Sequence, residues 1–377
     1  MSTFRLALVV DHFLPRVGGI ELQVADLARQ LTIRGHSVDV ITTTPGSVEA
    51  DGVCVKRLDG PLMPHFQIPY DGRPIAQLRE LLARGRYDLV HAHASVISPL
   101  GYGACWHARD LRLPSLLTTH SLLGANALWF SAANRVLDVY GWPTRLSTVS
   151  RATARRMAPT ARRSDEIVIL PNGIDASRWQ LEPQEHERLR VTSVMRLNVK
   201  KRPHDLVAAI PKVLSYLPSK LRPMFTIIGD GPYRPKLERQ IRRLGLNDCV
   251  ELLGRRTRDQ IKEVFRTTDL FVLPTRHEAF GIAVLEARSA GLPVVAMNQG
   301  GVSDIIEHGR HGLLARDLRE FAGYITALLD DRILRRQMAA ASRRGLERFG
   351  WDQVVADHTA IYAQLAPSVA RPLRVSA

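Results

Sequence analysis

The sequence predicts an α/β protein built from two doubly wound, Rossmann-like domains that face each other across a cleft. Short apolar runs alternate with helical patterns along the chain, as in parallel sheets covered by helices on both faces. The alternation starts again after a turn-rich stretch, PNGIDASRW at 171–179, so it describes two domains. The 377 residues suffice for both, and 45% apolar and 24% charged residues are an ordinary globular balance.

Each domain is predicted to alternate strands with helices. Residues 1–171 form the first domain and 172–351 the second, and a helix within 352–377 is expected to pack back on the first. Residues 21–36 place apolar side chains on one helical face and end near a glycine, which is typical of a helix that covers a sheet. The predicted strands are 6–10, 37–41, 89–91, 115–118 and 146–149 in the first domain, and 190–194, 224–229, 250–253, 270–273 and 293–296 in the second.

The chain is strongly basic, with 52 Lys and Arg against 37 Asp and Glu, and only seven of the 52 are lysine. Such a charge favours nucleic acid, anionic lipid or a phosphorylated small molecule as partner. No zinc-finger spacing, basic zipper or aromatic RNA-binding signature is present, so nucleic acid is not expected. The arginine cluster RATARRMAPTARR at 151–163 favours weak association with an anionic membrane surface, while an arginine-rich coding bias explains the same excess without a function.

The cellular location follows from what the sequence lacks. No run of 18 clean apolar residues predicts a spanning helix, and the first 16 residues do not resemble a signal peptide. Cys54, Cys105 and Cys249 are far apart and odd in number, which indicates neither a disulfide framework nor a zinc site. We therefore expect a cytoplasmic protein, with a peripheral position at the inner face of the membrane as a variant of the same expectation.

Glycines and histidines follow the strands of the first domain. The loop after the first strand, DHFLPRVGGIE, lacks the G-x-G-x-x-G pattern of a dinucleotide site, which argues against an NAD dehydrogenase. Gly18 and Gly19 leave amides open at a helix start, where phosphate or a developing charge binds, and a plain glycine turn is the alternative. His91, His93 and His120 end two strands, which suits contact with a polar substrate or a structural role. No carboxylate lies near them at ligand spacing, so no metal is expected.

Charged residues follow two strands of the second domain. Arg196 and Lys201 lie between a strand and a helix, where a planar fork and a point charge both suit a diphosphate. Glu278 follows another strand, a helix begins near Phe280–Gly281, and Glu286 lies on that helix. Amides at the helix start can hold phosphate while carboxylates accept bonds from vicinal hydroxyls, so this arrangement suits a sugar nucleotide. Glycine turns at 229–231 and 300–301 lie beside the same strand ends.

These residues resemble the motifs of the family-4 retaining glycosyltransferases of GT-B architecture. The resemblance extends from about residue 6 to about residue 352. Its most specific parts are the two glutamates eight residues apart, the arginine–lysine pair and the Gly18–Gly19 loop. The segments DHFLPRVGGIE, HAHAS and TTHSLLG also resemble the N-acetylglucosaminyltransferases of glycosylphosphatidylinositol-anchor biosynthesis and their microbial relatives.

The resemblance implies a role for each of these positions. His120, Arg196, Lys201 and Glu278 would be the catalytic set, with the two cations on the diphosphate, Glu278 on the sugar hydroxyls and His120 on the transferred sugar. Glu286 would bond the ribose hydroxyls. The acceptor would meet His91, His93 and Gly19. The other implied donor contacts are Gly18, Gly19, Gly229, Arg255 and the backbone of Phe280, Gly281 and Ile282.

Three positions depart from the family pattern. Met195 and Arg202 stand where the family often has glycine, and Asp304 stands where it usually has glutamate. Both cations of the arginine–lysine pair nevertheless remain, and a shorter acidic side chain can still cap a helix start. These departures therefore leave the implied donor site in place.

The resemblance favours UDP-N-acetylglucosamine as donor and an inositol-type or aminocyclitol acceptor. Transfer from GDP-mannose to a lipid or glycan is the alternative within the class. A UDP-sugar 2-epimerase of the same architecture and a non-catalytic sugar-nucleotide binder are alternatives of other classes, and the Gly18–Gly19 loop favours the transferase. No Asp-x-Asp motif occurs, so no metal cofactor is expected, in line with the metal independence that the family implies.

Overall fold

The chain divides into two compact units, which we describe from a computed structural model. The structure describes residues 3–50, 52–64, 67–122, 142, 144–160 and 167–367, and element numbers refer to these residues. Unit 1 comprises Met1–Gly173 with Trp351–Ala377, and unit 2 comprises Ile174–Gly350. The sequence interpretation had its boundaries at 171/172 and 351/352, two residues and one residue away from these.

Unit 1 contains an eight-stranded sheet in the order β3-β4-β2-β1-β5-β6-β7-β8. All its strand pairs are parallel except the short β3/β4 pair at one edge. The order reverses between β1 and β5, where successive crossovers leave in opposite directions. The strands are β1 (Arg5–Val10), β2 (Ser37–Thr42), β3 (Glu49–Ala50), β4 (Val53–Arg57), β5 (Leu89–Ala94), β6 (Ser115–Thr119), β7 (Arg145–Thr148) and β8 (Val168–Ile169).

Unit 2 contains a six-stranded, wholly parallel sheet in the order β11-β10-β9-β12-β13-β14. Its order reverses between β9 and β12, in the same manner as in unit 1. The strands are β9 (Arg190–Val194), β10 (Met224–Ile228), β11 (Val250–Gly254), β12 (Leu270–Leu273), β13 (Val294–Met297) and β14 (Leu313–Ala315).

Helices connect the strands and cover both sheets. Unit 1 has α1 (Gly19–Ile33), α2 (Arg73–Arg84), α3 (Pro99–Asp110), α4 (Arg151–Met157) and the returning α11 (Trp351–Leu365). Unit 2 has α5 (Pro203–Tyr216), α6 (Arg234–Arg243), α7 (Arg258–Arg266), α8 (Ile282–Ser289), α9 (Leu318–Asp330) and α10 (Arg332–Ser342). The two doubly wound sheets confirm the predicted fold class. The sequence interpretation missed β3, β4, β8 and β14, which lie at or next to the sheet edges. β3, β8 and β14 have only two or three residues each, and β4 buries only two of its five side chains.

Alternate residues of the unit 1 strands face two different helical layers. Leu6, Leu8 and Val10 pack with α1 and α11, whereas Ala7 and Val9 pack with α2 and α3. The period of two places neighbouring side chains on opposite faces. The residues of β5 that pair with Leu8 and Val10 are histidines, so this α1/α11 face carries polar side chains within an apolar layer.

A buried arginine holds α8 in place in unit 2. The guanidinium of Arg288 is 1% exposed and donates to the backbone oxygens of Ser342, Ile305 and Arg344. The planar fork of an arginine can serve three carbonyls at once, which a lysine cannot reproduce. Burial lowers the pKa of Arg288 to about 10, so the group remains charged at neutral pH.

The chain leaves and re-enters unit 1 through a closely packed pair of residues. Gly173 lies directly under the indole of Trp351, and a Cβ at position 173 would lie 2.6 Å from the ring. In unit 2, the amide of Ile174 donates to the oxygen of Phe349 at 2.8 Å. Trp351 also packs in the same core as Val354 and Tyr362, so α11 depends on the space that the glycine provides.

We predict that Gly173→Ala lowers the free energy of unfolding by about 1–3 kcal/mol, the usual cost of an overpacked site. The added methyl must displace the Trp351 ring. Gly72→Ala is the matched control, because nothing lies within 4 Å of a Cβ at position 72. Chemical denaturation of both variants measures the effect, and equal stability of the two would contradict the packing argument.

Candidate functional site

Two charged loops of unit 2 meet where its strand order reverses. Loops that follow adjacent strands at such a reversal leave on opposite faces and form a crevice at the carboxyl edge of the sheet. Lys201 follows β9 and Glu278 follows β12, and the Lys201 Nζ donates to Glu278 Oε2 at 2.5 Å. Two residues 77 positions apart, both predicted from the sequence, thus form an ion pair at the edge where a ligand is expected.

The cationic loop, residues 195–201, is held by a glycine turn. The amides of Met195 and Leu197 donate to the oxygens of Ile228 and Asp230, both at 3.0 Å. A Cβ at Gly229 would lie 1.9 Å from the Met195 oxygen, and its φ of +133° also favours glycine. Gly229, predicted as a donor contact, therefore has a structural reason of its own: it lets the turn support the cationic loop.

The two cations of this loop differ in their surroundings. Lys201 ends a short 3₁₀ turn whose Asn198 side chain accepts from the Lys201 amide at 2.9 Å. The Arg196 side chain is exposed and has no hydrogen bond or ion pair within the described residues. Arg196 is thus available to an anion, while an anion that binds Lys201 must compete with Glu278.

Glu278 is fixed through its backbone. The amide of Gly301 donates to the Glu278 oxygen at 2.8 Å. A Cβ at Gly300 would lie 2.3 Å from the same oxygen, so only glycine permits this approach. The Gly300–Gly301 pair, singled out in the sequence, therefore sets the position of the glutamate loop from behind.

Helix α8 begins immediately after the glutamate loop. Gly281, at φ +109°, precedes Ile282, the first helical residue. The first amides of a helix have no intrahelical acceptor and carry partial positive charge. The Phe280 ring is buried against Phe349, with ring centroids 5.7 Å apart, so only the backbone of Phe280 can face a ligand.

The second glutamate lies on α8 beside another arginine. Glu286 is 7% exposed, and Arg258 Nε lies 3.7 Å from its Oε1. Arg258 is the first residue of α7, whereas Arg255, the residue predicted near a base, lies exposed in the preceding loop. The sequence interpretation missed Arg258. The signal was the Thr257–Gln260 capping box, which fixes the start of α7 one residue after the threonine.

The predicted glycines of unit 1 lie at the start of α1. Gly18 is the N-cap residue and offers no side-chain bond, and Gly19 is the first helical residue and is exposed. This leaves the first amides of α1 open, as the sequence indicates. Next to them Arg16 pairs with the buried Glu21, with 3.3 Å between Nε and Oε1.

His91 is fully buried and both its ring nitrogens have protein partners. Nδ1 lies 2.8 Å from the hydroxyl of Tyr362 on α11, and Nε2 lies 2.7 Å from Thr118 Oγ1. No nitrogen remains for a ligand. The expectation that His91 binds the acceptor directly therefore does not agree with this structure, because residue 91 faces the α11 layer and not the strand ends.

His93 and His120 contact each other at the ends of β5 and β6. His93 Nδ1 lies 3.0 Å from His120 Nε2, and His93 is 2% exposed. His120 is half-buried and is therefore the more accessible of the two. The expectation that His93 binds the acceptor directly does not agree with this structure, because its side chain is enclosed.

Burial keeps this histidine cluster, residues 91, 93, 120 and 358, uncharged. It lowers the pKa of His91 and His93 well below the ordinary value and that of His120 to about 4, with a smaller contribution from the neighbouring histidines. Burial also lowers the pKa of His358 on α11. Within the part of the chain that the structure describes, no group of three or more His, Cys, Asp or Glu could hold a metal ion.

The fold and these charged strand ends define a class: two Rossmann-like α/β domains with polar loops at the reversal of each sheet. Sequence comparison makes this specific. The family described as "Glycosyltransferase Family 4" matches residues 17–178, and "Glycosyl transferases group 1" matches residues 174–345. The chain belongs to glycosyltransferase family 4 and has the GT-B fold of that family.

Curated relatives include two proteins that belong to one kind of enzyme. One is a component of the human phosphatidylinositol N-acetylglucosaminyltransferase, 28% identical over 314 residues, 81% of this chain and 64% of that protein. The other is the gpi3 component of the same enzyme from Schizosaccharomyces pombe, 30% identical over 319 residues, 79% of this chain and 67% of its own. The chain thus spans about two thirds of the length of these relatives.

A bacterial relative and a solved structure complete the comparison. The D-inositol 3-phosphate glycosyltransferase of Jonesia denitrificans is 26% identical over 415 residues, covering 95% of each chain. The crystal structure of HepE from Anabaena in complex with UDP and glucose matches 96% of this chain and 100% of its own, with a TM-score of 0.80 at 20% identity. This structural likeness shows the fold.

The buried histidines predict that acid destabilises the protein. Unfolded histidines titrate near pH 6.5, so below that pH the unfolded chain binds more protons than the folded one. The free energy of unfolding therefore falls as the pH decreases from about 6.5 towards about 4, by up to about 1.4 kcal/mol per pH unit for each histidine. Asp11 acts in the opposite direction, since burial raises its pKa to about 6 and the folded state takes up that proton first.

Thermal unfolding between pH 7 and pH 5 measures this dependence. We expect His358→Leu to flatten it, because the variant removes one of the buried imidazoles from α11. A variant whose unfolding temperature falls with pH as steeply as that of the wild type would contradict the assignment of the effect to the cluster.

Proposed function

We propose that the chain is a retaining glycosyltransferase that moves a hexose from a nucleotide-diphosphate sugar to a hydroxyl acceptor. The observation that carries the proposal is the Lys201–Glu278 pair at the strand reversal of unit 2; Lys201 lies in the loop that also carries Arg196, whose side chain has no partner among the described residues. A diphosphate binds to cations, and the hydroxyl groups of a sugar need hydrogen-bond acceptors. This edge supplies both, because a cation and a carboxylate lie in direct contact there. Family membership supports the same interpretation.

The donor is proposed to occupy the carboxyl edge of the unit 2 sheet. Arg196 and Lys201 bind the diphosphate, and Glu278 accepts from the sugar hydroxyls once its lysine has turned to the phosphate. The backbone amides of Phe280, Gly281 and Ile282 supply further donors. Glu286 accepts from the ribose hydroxyls, with Arg258 holding its carboxylate, and Arg255 lies on the side of the base. For unit 1 we keep two proposals from the sequence: His120 contacts the transferred sugar, and Gly18 and Gly19 contact the reacting groups.

In the proposed transfer, the protein must stabilise the negative charge that develops on the leaving nucleoside diphosphate. The bond from the anomeric carbon to the diphosphate oxygen breaks, and its electron pair stays on the nucleoside diphosphate. The acceptor oxygen bonds to the same face of the cationic sugar, which retains the configuration. Arg196, Lys201 and the α8 amides face the growing negative charge, a role that elsewhere falls to a divalent ion. We therefore propose that transfer needs no metal.

We propose UDP-N-acetylglucosamine as donor and an inositol-type or aminocyclitol acceptor. The support is that relatives across eukaryotes and bacteria bear names that combine glycosyl transfer with an inositol acceptor. Three crystal structures of HepE, which has the same fold, are complexes with UDP and glucose, with UDP, and with UDP-glucose. GDP-mannose transfer to a lipid or glycan and a UDP-sugar 2-epimerase are the competing activities.

A peripheral position at a membrane surface is proposed from charge alone. Arg151, Arg155 and Arg156 are exposed on α4, and each cation near an acidic surface contributes about 1 kcal/mol. Arg162 and Arg163 of the same cluster lie outside the described residues. No helix within the described ranges is long and apolar enough to cross a membrane.

The test of the function is a donor and acceptor panel. UDP-N-acetylglucosamine, UDP-glucose and GDP-mannose are each incubated with inositol, inositol phosphate and phosphatidylinositol, with EDTA and separately with magnesium. We expect an α-linked N-acetylglucosaminyl product whose formation EDTA does not reduce. A β-linked product overturns retention, donor conversion without an acceptor identifies an epimerase, and activity restored only by magnesium overturns metal independence.

We predict that Arg196→Ala and Lys201→Ala each reduce kcat more than they raise the donor KM. The leaving group gains negative charge as the anomeric bond breaks, and only contacts that strengthen there raise kcat. The loss is about a hundredfold for one such contact, and the two effects do not simply add because they share one diphosphate. Steady-state kinetics at saturating acceptor measures both. A raised KM with unchanged kcat would show that these cations only bind the donor and do not stabilise the leaving group.

We predict opposite effects of two isosteric variants on UDP binding. Glu278→Gln removes the carboxylate that competes for Lys201, so UDP should bind more tightly. Glu286→Gln leaves ribose hydroxyls poorly matched, and UDP should bind about tenfold more weakly. Titration calorimetry of both variants with UDP gives the comparison. If both variants weaken binding alike, Glu278 does not compete with the diphosphate.

A further inference from the structure

The contact between His93 and His120 has a direction that decides what His120 offers to a ligand. Both side chains are uncharged imidazoles, so each carries one ring proton. Only one of the two facing nitrogens, His93 Nδ1 and His120 Nε2, can hold the proton between them. If His93 donates, the proton of His120 lies on its own Nδ1. If His120 donates, its Nδ1 is a bare lone pair.

The other nitrogen of His93 distinguishes the two cases. His93 Nε2 is buried and has no hydrogen-bond partner within the described residues. If His120 donated, His93 would carry its proton on Nε2 and would bury an N–H without an acceptor. Orphaned buried N–H groups are rare in folded proteins. The arrangement in which His93 Nδ1–H donates leaves only a lone pair unmatched and is therefore preferred.

The His93 ring is held by its neighbour in β5. His91 lies with its ring centroid 4.0 Å from that of His93. One direction of hydrogen bonds serves every donor around His91: Tyr362 O–H to Nδ1, Nε2–H to Thr118, Thr118 O–H to Ser147, and Ser147 O–H to the Leu117 oxygen. The reverse direction would leave the Tyr362 hydroxyl proton without an acceptor. His91 thus has one fixed tautomer and one orientation, against which His93 packs.

We propose that His93 is a positioning residue, whose Nδ1–H donates to His120 Nε2 and so keeps the His120 proton on Nδ1, ready for a sugar oxygen. His120 Nδ1 has no hydrogen-bond partner within the described part of the chain, and His120 is the half-buried member of the pair. His120 then acts as a hydrogen-bond donor and not as the base that deprotonates the acceptor. This inference rests on the proposed function, which supplies the sugar.

The hydrogen bond can be tested without any substrate. Long-range ¹⁵N–¹H correlation of histidine ring signals in the full chain reports which nitrogen of His120 carries the proton. We expect Nδ1 in the wild type. A wild-type spectrum with the proton on Nε2 would overturn the proposal at once, whatever the protein catalyses.

Two variants of His93 separate positioning from packing. The amide nitrogen of Asn matches the place of a histidine Nδ1 and can still donate to His120, whereas the amide of Gln reaches the place of Nε2. We expect His93→Gln to release the His120 tautomer and to lower kcat about tenfold, the scale of one lost hydrogen bond, while His93→Asn keeps both. Equal losses in the two variants with an unchanged His120 tautomer would show that His93 only fills space.

Tyr362→Phe is the control for a general loosening of the cluster. It removes the hydroxyl that bonds His91 but leaves the His93–His120 contact, so the His120 tautomer should not change. A change as large as that in His93→Gln would overturn the specific role of His93. Absence of any transferase activity in the wild type would instead overturn the proposed function, and the ring spectra would still decide the direction of the bond.

Discussion

The reversal of strand order in each sheet is the constraint on which the rest of the structure depends. A parallel strand must be reached by a right-handed crossover, so a chain that adds strands on one side and then on the other opens a crevice at the reversal. In unit 2 the loops on either side of that crevice carry Lys201 and Glu278. In unit 1 the reversal lies between β1 and β5, next to the Gly18–Gly19 loop and His93. In unit 2, the strand order thus places a cation and a carboxylate at the same edge of the sheet.

The charges at the carboxyl edge of the unit 2 sheet neutralise each other in part. Glu278 is 14% exposed at its side chain and Lys201 31%, so their ion pair is only moderately screened by water. Leaving the mostly buried Glu278 carboxylate without its lysine would cost free energy. A ligand that carries both a diphosphate and hydroxyl groups replaces the ion pair: the diphosphate pairs with Lys201, and the hydroxyl groups donate to Glu278. A simple anion would pair only with Lys201 and would leave the Glu278 carboxylate without a partner.

The sequence allowed the two sheets and most of the unit 2 residues to be predicted, because strand ends and glycine turns are local signals. Arg196, Lys201 and Glu278 follow buried strands, and Glu286 lies on the helix that comes directly after Glu278. What could not be predicted depends on contacts between distant segments. The burial of His91 comes from Tyr362, 271 residues away, and the task of Gly229 is visible only when the Met195 oxygen lies against it. The short strands β3, β8 and β14 bury too few side chains to show a period.

Unit 1 is assembled from two stretches of chain, and this sets an order of events during synthesis. Residues 174–350 are contiguous, so unit 2 has its complete sequence before the last helix is made. Until Trp351–Leu365 has left the ribosome, unit 1 lacks the α11 part of the layer over Leu6 and Leu8 and the Tyr362 partner of His91, so part of its apolar face stays open to water. Because domains fold as units while the chain grows, unit 1 completes its fold after unit 2, although most of its residues are synthesised first. A chaperone that meets this nascent protein would find the open apolar face on the part of unit 1 that precedes residue 174.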